Sequence, residues 1–159
     1  MMKMKLGVPK EPSDESRVAI VPSSIKKLNK SGFEVLVESG AGVSANYSDS
    51  MFEQAGAKIV SRSEIMSCEN IICINFPEVN DIQANTNLAC VADPFRNPEY
   101  VKQCLQGKIT LMSMDMIPRR LSRAQSMDVN SSQDNLAGYK AVLLGAANVP
   151  KGIPMMTTS

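Results

Sequence analysis

Hydrogen-bonding side chains are concentrated in one stretch of the sequence, residues 120–139, which reads RLSRAQSMDVNSSQDNLAGY. Its first half offers Arg120, Gln125 and Asp128 together with several serine hydroxyls, and it has few apolar residues to bury. Arginine presents a planar fork of donors, whereas glutamine and aspartate can bond to an amide, so the set matches a carboxamide and a ribose better than a bare phosphate. The stretch is a candidate binding loop. A flexible polar loop ahead of a capped helix is the alternative that side-chain chemistry leaves open.

The composition excludes several kinds of chemistry. The chain has 159 residues and no histidine, so a histidine base, a Ser-His or Cys-His pair and a histidine-ligated metal would each need an imidazole from another chain. Lysine and arginine number 17 and acidic residues 16, and this net charge of +1 does not indicate a nucleic-acid partner. The four cysteines have no C-x-x-C spacing, and we expect buried thiols of a reducing compartment and no metal site.

Membrane insertion is not indicated by the hydropathy of the chain. The N-terminus MMKMKLGVPKE lacks the apolar segment and cleavage site of a signal peptide. No window reaches the roughly 18 apolar residues of a membrane-spanning helix. We therefore expect the chain itself to be soluble.

Short apolar runs rich in β-branched residues alternate with amphipathic stretches, a pattern typical of an α/β fold with a parallel sheet. Six strands are predicted, at residues 4–8, 33–38, 57–60, 70–75, 87–92 and 108–113. Helices are predicted at residues 22–32, 48–56, 63–67 and 97–107, the second of them with Ser48 as a cap. Residues 117–128 fit neither period and predict an ordered polar loop. A last helix is predicted to be capped by Ser131 and to run to about Leu144, followed by a loop from Asn148 onward.

Two further segments could bind a ligand. The turn SGAGVS at residues 39–44 has a G-x-G core, but Ala45 stands at the third glycine position of a dinucleotide fingerprint and Val60 ends the next strand, where an acid is expected. We interpret it as a plain turn. Residues 9–20 follow the first strand, the position at which open α/β sheets bind ligands. The alternative is a solvated loop with Arg17 on the surface.

Several sequence blocks resemble the N-terminal part of the alpha subunit of proton-translocating NAD(P) transhydrogenase, in the alanine dehydrogenase/transhydrogenase N-terminal domain family. The resemblance covers essentially the whole chain. It is carried above all by SRAQSMD at residues 122–128, which is specific to the transhydrogenases. The other blocks are GVPKE (7–11), SRVA (16–19), VESGAG (37–42), SSQ (131–133) and LAGYKA (136–141).

The resemblance implies a flavodoxin-like parallel-sheet lobe at residues 1–130. Residues 131–159 would then form a crossing helix and a linker toward the family's Rossmann-type NAD-binding lobe, which is absent from this chain. In the family the polar loop closes over the nicotinamide of NAD(H). This assigns catalytic and cofactor-binding roles to Arg120, Gln125 and Asp128, and cofactor-binding roles to Ser131 and Tyr139.

For the intact assembly, the resemblance implies hydride transfer from NADH to NADP⁺ on a partner domain, coupled to proton translocation and without a metal. The implied partners are a second copy in a homodimer and the NADP-binding and membrane-spanning domains or beta subunit. The implied location is the cytoplasmic side of the bacterial inner membrane, peripheral and membrane-associated through the partner subunit. We expect the chain alone to be inactive, because only half of the cofactor cleft would be present.

Two alternatives remain. One is a non-catalytic dimerisation or assembly module. The other is an amino-acid dehydrogenase like alanine dehydrogenase, for which Arg17 matches an arginine of that subgroup. Cys73 and its neighbours stand where the subgroup has a lysine, however, and the histidine of that subgroup has no counterpart. Amino-acid dehydrogenation is therefore disfavoured.

Overall fold

A parallel sheet forms the first of two compact units. The computed structural model describes residues 3–118 and 120–150. One unit ends at Met116 and the other begins at Ile117. The strands are β1 (Met4–Val8), β2 (Phe33–Glu38), β3 (Lys58–Val60), β4 (Asn70–Ile72), β5 (Asn87–Cys90) and β6 (Thr110–Ser113). The helices of this unit are α1 (Pro22–Lys30), α2 (Asp49–Ala55), α3 (Arg62–Met66) and α4 (Pro98–Gln106).

The six strands are all parallel and lie in the order β3-β2-β1-β4-β5-β6. This confirms the predicted α/β class. Without the three-residue edge strand β3, the other five, numbered among themselves, follow the flavodoxin-like order 2-1-3-4-5. The chain builds outward from β1 on one side and then returns to place β4 on the other side. The carboxyl ends of β1 and β4 therefore form the topological switch point of the sheet.

Helices cover both faces of the sheet, because its central strands are apolar on both faces. In β2, Val35 and Val37 pack into a cluster with Ile25 of α1 and Phe52 of α2. Leu36 points to the opposite face and belongs to the cluster that contains Ile65 of α3 and residues of α4. Such two-sided burial is characteristic of parallel sheets, whose crossover connections place helices on either face.

Four strands are shorter than predicted. β3 begins at Lys58 and not at residue 57, and β5 ends at Cys90 and not at residue 92. β4 ends at Ile72 and not at residue 75, because the backbone N–H groups of Ile74 and Asn75 turn to donate to the carboxylate of Glu11. β6 begins at Thr110, two residues after Lys108, whose backbone has a positive φ of 56°. Extended backbone has a negative φ, so this conformation lies outside a strand.

The second unit contains a polar loop and one long helix, α5 (Val129–Asn148). The prediction that Ser131 caps this helix is wrong. Asp128 is the N-cap residue, and its carboxylate accepts a hydrogen bond of 3.0 Å from the N–H of Ser131. The helix also continues past Leu144 to Asn148. Most of the loop predicted from Asn148 onward lies at residues 151–159, outside the described residues.

Ser48 does occupy the predicted N-cap position of α2, but its side chain makes no capping hydrogen bond. The hydroxyl of Ser48 bonds instead to the hydroxyl of Ser50 at 2.8 Å. The position was predicted correctly, and the interaction was not.

Candidate cofactor-binding loop and sheet crevice

The polar loop folds through a series of tight turns. The N–H of Leu121 donates to the carbonyl of Pro118 at 3.2 Å, and the N–H of Ala124 donates to Leu121 at 2.8 Å. A short 3₁₀ helix, Gln125–Met127, leads directly into α5. Ala124 is buried, whereas the side chains of Arg120 and Gln125 are exposed. The described part of the loop is therefore held in hydrogen-bonded turns, and it presents the long polar side chains of Arg120 and Gln125 to solvent.

Three of the predicted site residues follow one another at intervals of three residues. The carboxylate of Asp128 bonds to the N–H of Ser131, as described above, and the N–H of Asp128 donates to the carbonyl of Gln125 at 3.4 Å. Arg120 lies five residues before Gln125, at the start of the turns. The structure thus joins Gln125, Asp128 and Ser131 through backbone and capping hydrogen bonds.

Tyr139 lies further along the same helix. It follows Asp128 by three helical turns, so the two residues share one side of α5 but are separated by about 16 Å along the axis. The Tyr139 side chain is 68% exposed. Tyr139 and Asp128 could contact one ligand only if that ligand were extended along the helix.

A second group of polar residues lies at the switch point in the first unit. The side chain of Glu11, in the loop after β1, is only 7% exposed. It accepts hydrogen bonds from the N–H groups of Ile74 and Asn75, at 2.6 and 3.0 Å, and from the Asn75 side-chain amide at 3.2 Å. Sequence reasoning missed this contact, because Glu11 and Asn75 are 64 residues apart and no local pattern connects them.

Carboxylates also join other neighbouring strands at the same edge of the sheet. Glu38, at the end of β2, accepts the N–H of Lys10 at 2.8 Å and pairs with Arg62 at 3.2 Å. Asp115, after β6, accepts the N–H of Ala92 at 3.2 Å. The carboxyl edge of the sheet is therefore held by hydrogen bonds from backbone amides to side-chain carboxylates.

A cavity of about 280 Å³ opens beside this network. Its lining combines two cationic residues, the Glu11 carboxylate, the Asn75 amide, an aromatic ring and three prolines: Pro9, Lys10, Glu11, Pro12, Arg62, Asn75, Phe76 and Pro77. These residues come from the loops after β1 and β4 and from the start of α3. The cavity thus lies where open α/β sheets bind ligands.

Arg17 is not a lone surface cation. Its guanidinium donates from Nε to Oε1 of Glu15 at 2.8 Å and from Nη2 to Oε2 at 2.5 Å, and its backbone N–H also bonds to Oε1 at 2.9 Å. These hydrogen bonds, chiefly the side-chain ones, lower the pKa of Glu15 to about 2. The pair orders the loop after β1 and ties the Arg17 guanidinium to a partner within that loop.

The glycine turn at residues 39–44 is occupied by a carboxylate. Asp49 accepts the N–H of Gly40 at 2.9 Å and the hydroxyl of Ser39 at 2.8 Å. A Cβ atom at Gly42 would lie 2.6 Å from Cε2 of Phe52, so glycine is required there for close packing. A negative charge at the turn disfavours phosphate, which supports its interpretation as a plain structural turn.

The cysteines are buried, as predicted: Cys68, Cys73, Cys90 and Cys104 are all free thiols inside the first unit. A hydrogen bond with Cys90, together with burial, raises the pKa of the Cys73 thiol. Within residues 3–118 and 120–150, no cluster of three or more potential ligands could hold a metal ion. None of the helices described is long and apolar enough to cross a membrane.

The six-stranded parallel sheet places the chain in the open, parallel-sheet class of α/β proteins. It belongs to the alanine dehydrogenase/PNT N-terminal domain family, whose sequence model matches residues 7–137. This confirms the family predicted from the sequence blocks.

Similar proteins include both branches of that family. The chain is 41% identical to an NAD(P) transhydrogenase subunit alpha polypeptide of Rhodospirillum rubrum, over 98% of this chain and 43% of the relative. The crystal structure of transhydrogenase from Sinorhizobium meliloti is 34% identical with a TM-score of 0.90, covering 98% of this chain and 48% of that one. A structure of L-alanine dehydrogenase is 28% identical with a TM-score of 0.69, over 76% of this chain and 34% of that one. The chain thus spans less than half the length of these relatives.

Proposed function

We propose that this chain forms the N-terminal lobe of a proton-translocating NAD(P) transhydrogenase alpha subunit and supplies one wall of the NAD(H) site. In the intact enzyme, hydride would pass from NADH to NADP⁺ on a partner domain, coupled to proton translocation. One observation carries the proposal. In a chain 41% identical to a transhydrogenase alpha subunit, residues 120–131 are held by tight turns and a helix cap, and most of their polar side chains are exposed.

The residues of the loop fit the nicotinamide end of the dinucleotide and not its phosphates. The exposed guanidinium of Arg120 and the exposed amide of Gln125 can hydrogen-bond to a carboxamide and to ribose hydroxyls. The chain contains neither a complete dinucleotide fingerprint nor a P-loop, so phosphate contacts would come from a separate lobe. NAD(H), when bound, supplies the hydride chemistry.

The proposed role of this lobe is to orient the nicotinamide ring. Arg120 and Gln125 would hold the nicotinamide ring at a fixed angle, and the turns of the loop would exclude water from one side of it. Asp128 and Ser131 fix the loop to the start of α5 through their 3.0 Å hydrogen bond. Tyr139 would contact a more distant part of the cofactor. No side chain has to carry a proton or a hydride, so the absence of histidine from the sequence is compatible with the reaction.

The organisation of the assembly is included in the same proposal. Residues 1–130 would form the N-terminal lobe, and residues 131–159 would be the crossing helix and linker toward the NAD-binding lobe. The subunit would act as a homodimer, without a metal, beside NADP-binding and membrane-spanning domains or a beta subunit. It would lie peripherally on the cytoplasmic side of the bacterial inner membrane.

An assembly role is the second candidate, and it is favoured by the surface of α5. Several large apolar side chains of this helix are exposed: Leu136, Tyr139, Val142, Leu143 and Leu144. Exposed apolar patches usually mark an interaction site. The two candidates are compatible, because a subunit can use the helix for assembly and the loop for the cofactor.

The test is turnover of the intact enzyme with single substitutions in the loop. Arg120→Ala, Gln125→Ala and Asp128→Asn should each lower hydride transfer at least about tenfold, equivalent to about 1.4 kcal/mol in the barrier, with unchanged melting temperature. Asparagine is used at position 128 because it preserves the helix cap while removing the charge.

Gln103→Ala is the matched control, since Gln103 is an exposed glutamine on α4 in the first unit. It should leave turnover unchanged. Normal turnover in all three loop variants would contradict the proposal and return the loop to a structural role.

A further inference from the structure

The end of β4 has the architecture of an anion-binding site. Two consecutive backbone N–H groups, those of Ile74 and Asn75, converge with the side-chain amide of Asn75. Successive backbone N–H groups that point to one place form a concavity suited to a carboxylate or another small anion. The anion that occupies this concavity is the chain's own Glu11, whose side chain is 7% exposed.

The contact between Glu11 and the amides after β4 lies at the topological switch point of the sheet. Glu11 follows β1, and its three donors follow β4, so the contact ties together the two loops that define the switch point. The same loop after β1 carries the Glu15–Arg17 pair; the hydrogen bond to Glu15 chiefly raises the pKa of Arg17, and the charge of Glu11 contributes to the same shift. The cavity of about 280 Å³ reaches both Glu11 and Asn75, so a small solute can approach the contact from solvent.

We propose that Glu11 is a positioning residue, an internal anion that fills the amide site after β4 and thereby fixes the crevice between the ends of β1 and β4. A buried carboxylate accepts hydrogen bonds and donates none, so it needs just such a set of donors. Without it, the Ile74 and Asn75 amides lose their partner and the two loops separate. We further propose that cofactor turnover requires the fixed crevice; this second half rests on the proposed transhydrogenase function.

The first arm of the test measures the amides themselves in the intact alpha subunit. Glu11→Ala should accelerate hydrogen exchange at Ile74 and Asn75 by about tenfold or more, because exchange requires an amide free of its acceptor. Added acetate should restore the protection by filling the space that the side chain leaves, and chloride at the same ionic strength should not. Glu53→Ala, at an exposed glutamate of α2, is the matched control and should change neither amide.

Glu11→Gln keeps the side-chain volume. It therefore keeps the proposal testable if Glu11→Ala does not fold. Glutamine has one acceptor oxygen in place of two, so one of the two amides should lose protection, and acetate should have no effect because the space stays filled. Unchanged exchange at Ile74 and Asn75 in both variants would overturn the proposal that Glu11 fills an anion-binding site. Exchange in Glu11→Ala that is faster but indifferent to acetate would overturn it as well.

The second arm measures NADH-to-NADP⁺ hydride transfer in the complete enzyme. Glu11→Ala should lower kcat by about tenfold, and acetate should recover some of the loss, a response that a merely destabilised protein would not show. Wild-type turnover in Glu11→Ala, together with acetate-sensitive exchange, would overturn the second half of the proposal, that cofactor turnover requires the fixed crevice. If the wild-type enzyme itself transfers no hydride, the proposed function fails, whereas the exchange arm still decides the anion site.

Discussion

At the scale of single residues, the loop after β1 is organised by a local ion pair. Glu15 and Arg17 are two positions apart and meet through two side-chain hydrogen bonds and one backbone hydrogen bond. A fork-to-fork contact of this kind is stronger than a single point contact between charges. The exposed fraction of the Arg17 side chain is 49%, so solvent and salt screen the pair and it contributes chiefly to loop geometry.

The stabilisation contributed by the Glu15–Arg17 pair should depend on pH. The folded-state pKa of Glu15 is lowered from 4.5 to about 2, so the stabilisation is fully present above pH 4.5 and is lost as the pH falls toward 2. A carboxyl carbon titration followed by NMR should place the Glu15 midpoint near 2 in the wild type and return it toward 4.5 in Arg17→Ala. Arg96→Ala, which breaks the unrelated pair with Asp93, should leave it unchanged. A wild-type midpoint near 4.5 would show that the two side chains do not pair in solution.

At the scale of elements, the start of α5 links folding to the candidate site. The side chains along this helix from residue 131 to residue 145 are exposed, so tertiary packing contributes little to its first turns. Its N-cap hydrogen bond, from Ser131 N–H to the Asp128 carboxylate, therefore matters more than it would in a buried helix. The same aspartate anchors the polar loop.

Asp128→Ala should therefore loosen the first turn of α5. A lost N-cap costs about 1 kcal/mol, and Asp128→Asn should cost little because asparagine caps as well as aspartate. The measurement is amide exchange at Ser131 and the following residues. Ser48→Ala is the control, since the Ser48 side chain occupies the N-cap position of α2 without a capping hydrogen bond. Equal exchange at Ser131 in the alanine and asparagine variants would contradict the cap.

The elements themselves were largely predictable from local sequence. All six strands coincide with apolar runs, because parallel strands covered on both faces must be apolar on both faces. The start of α5 was misplaced because Asp128 and Ser131 both have side chains that can cap, and the pattern alone does not decide between them. The end of β4 was misplaced for a different reason. The amides that follow it, those of Ile74 and Asn75, bond to Glu11, and that partner becomes a neighbour only once the strand order is formed.

The candidate site, too, has one part that the local sequence predicts and one part that it does not. The polar loop was predictable, since residues 120–131 combine charge, amides and hydroxyls without an apolar period. The switch-point network was not, because it joins the loops after β1 and β4 and depends on the crossover that sets β1 beside β4. Sequence patterns within a segment report local structure, whereas contacts between the ends of distant strands depend on topology.

At the scale of the whole molecule, we propose that the chain supplies one wall of a cofactor cleft. The chain matches 43% of the length of the Rhodospirillum rubrum relative, and it holds a polar loop without a phosphate cradle. Within the first unit, the carboxylate hydrogen bonds of Glu11, Glu38 and Asp115 hold the loops at the carboxyl edge of the sheet. In this proposal, residues 120–131 contact the nicotinamide end of NAD(H), while the phosphates bind elsewhere.

The decisive measurement is a crystal structure of the intact alpha subunit with NADH bound. We expect the Gln125 amide or the Arg120 guanidinium to lie within hydrogen-bonding distance, about 3 Å, of the nicotinamide carboxamide or its ribose. We also expect the Asp128–Ser131 hydrogen bond to be retained. A nicotinamide ring bound with no side chain of residues 120–131 in contact would contradict the proposed role of the loop.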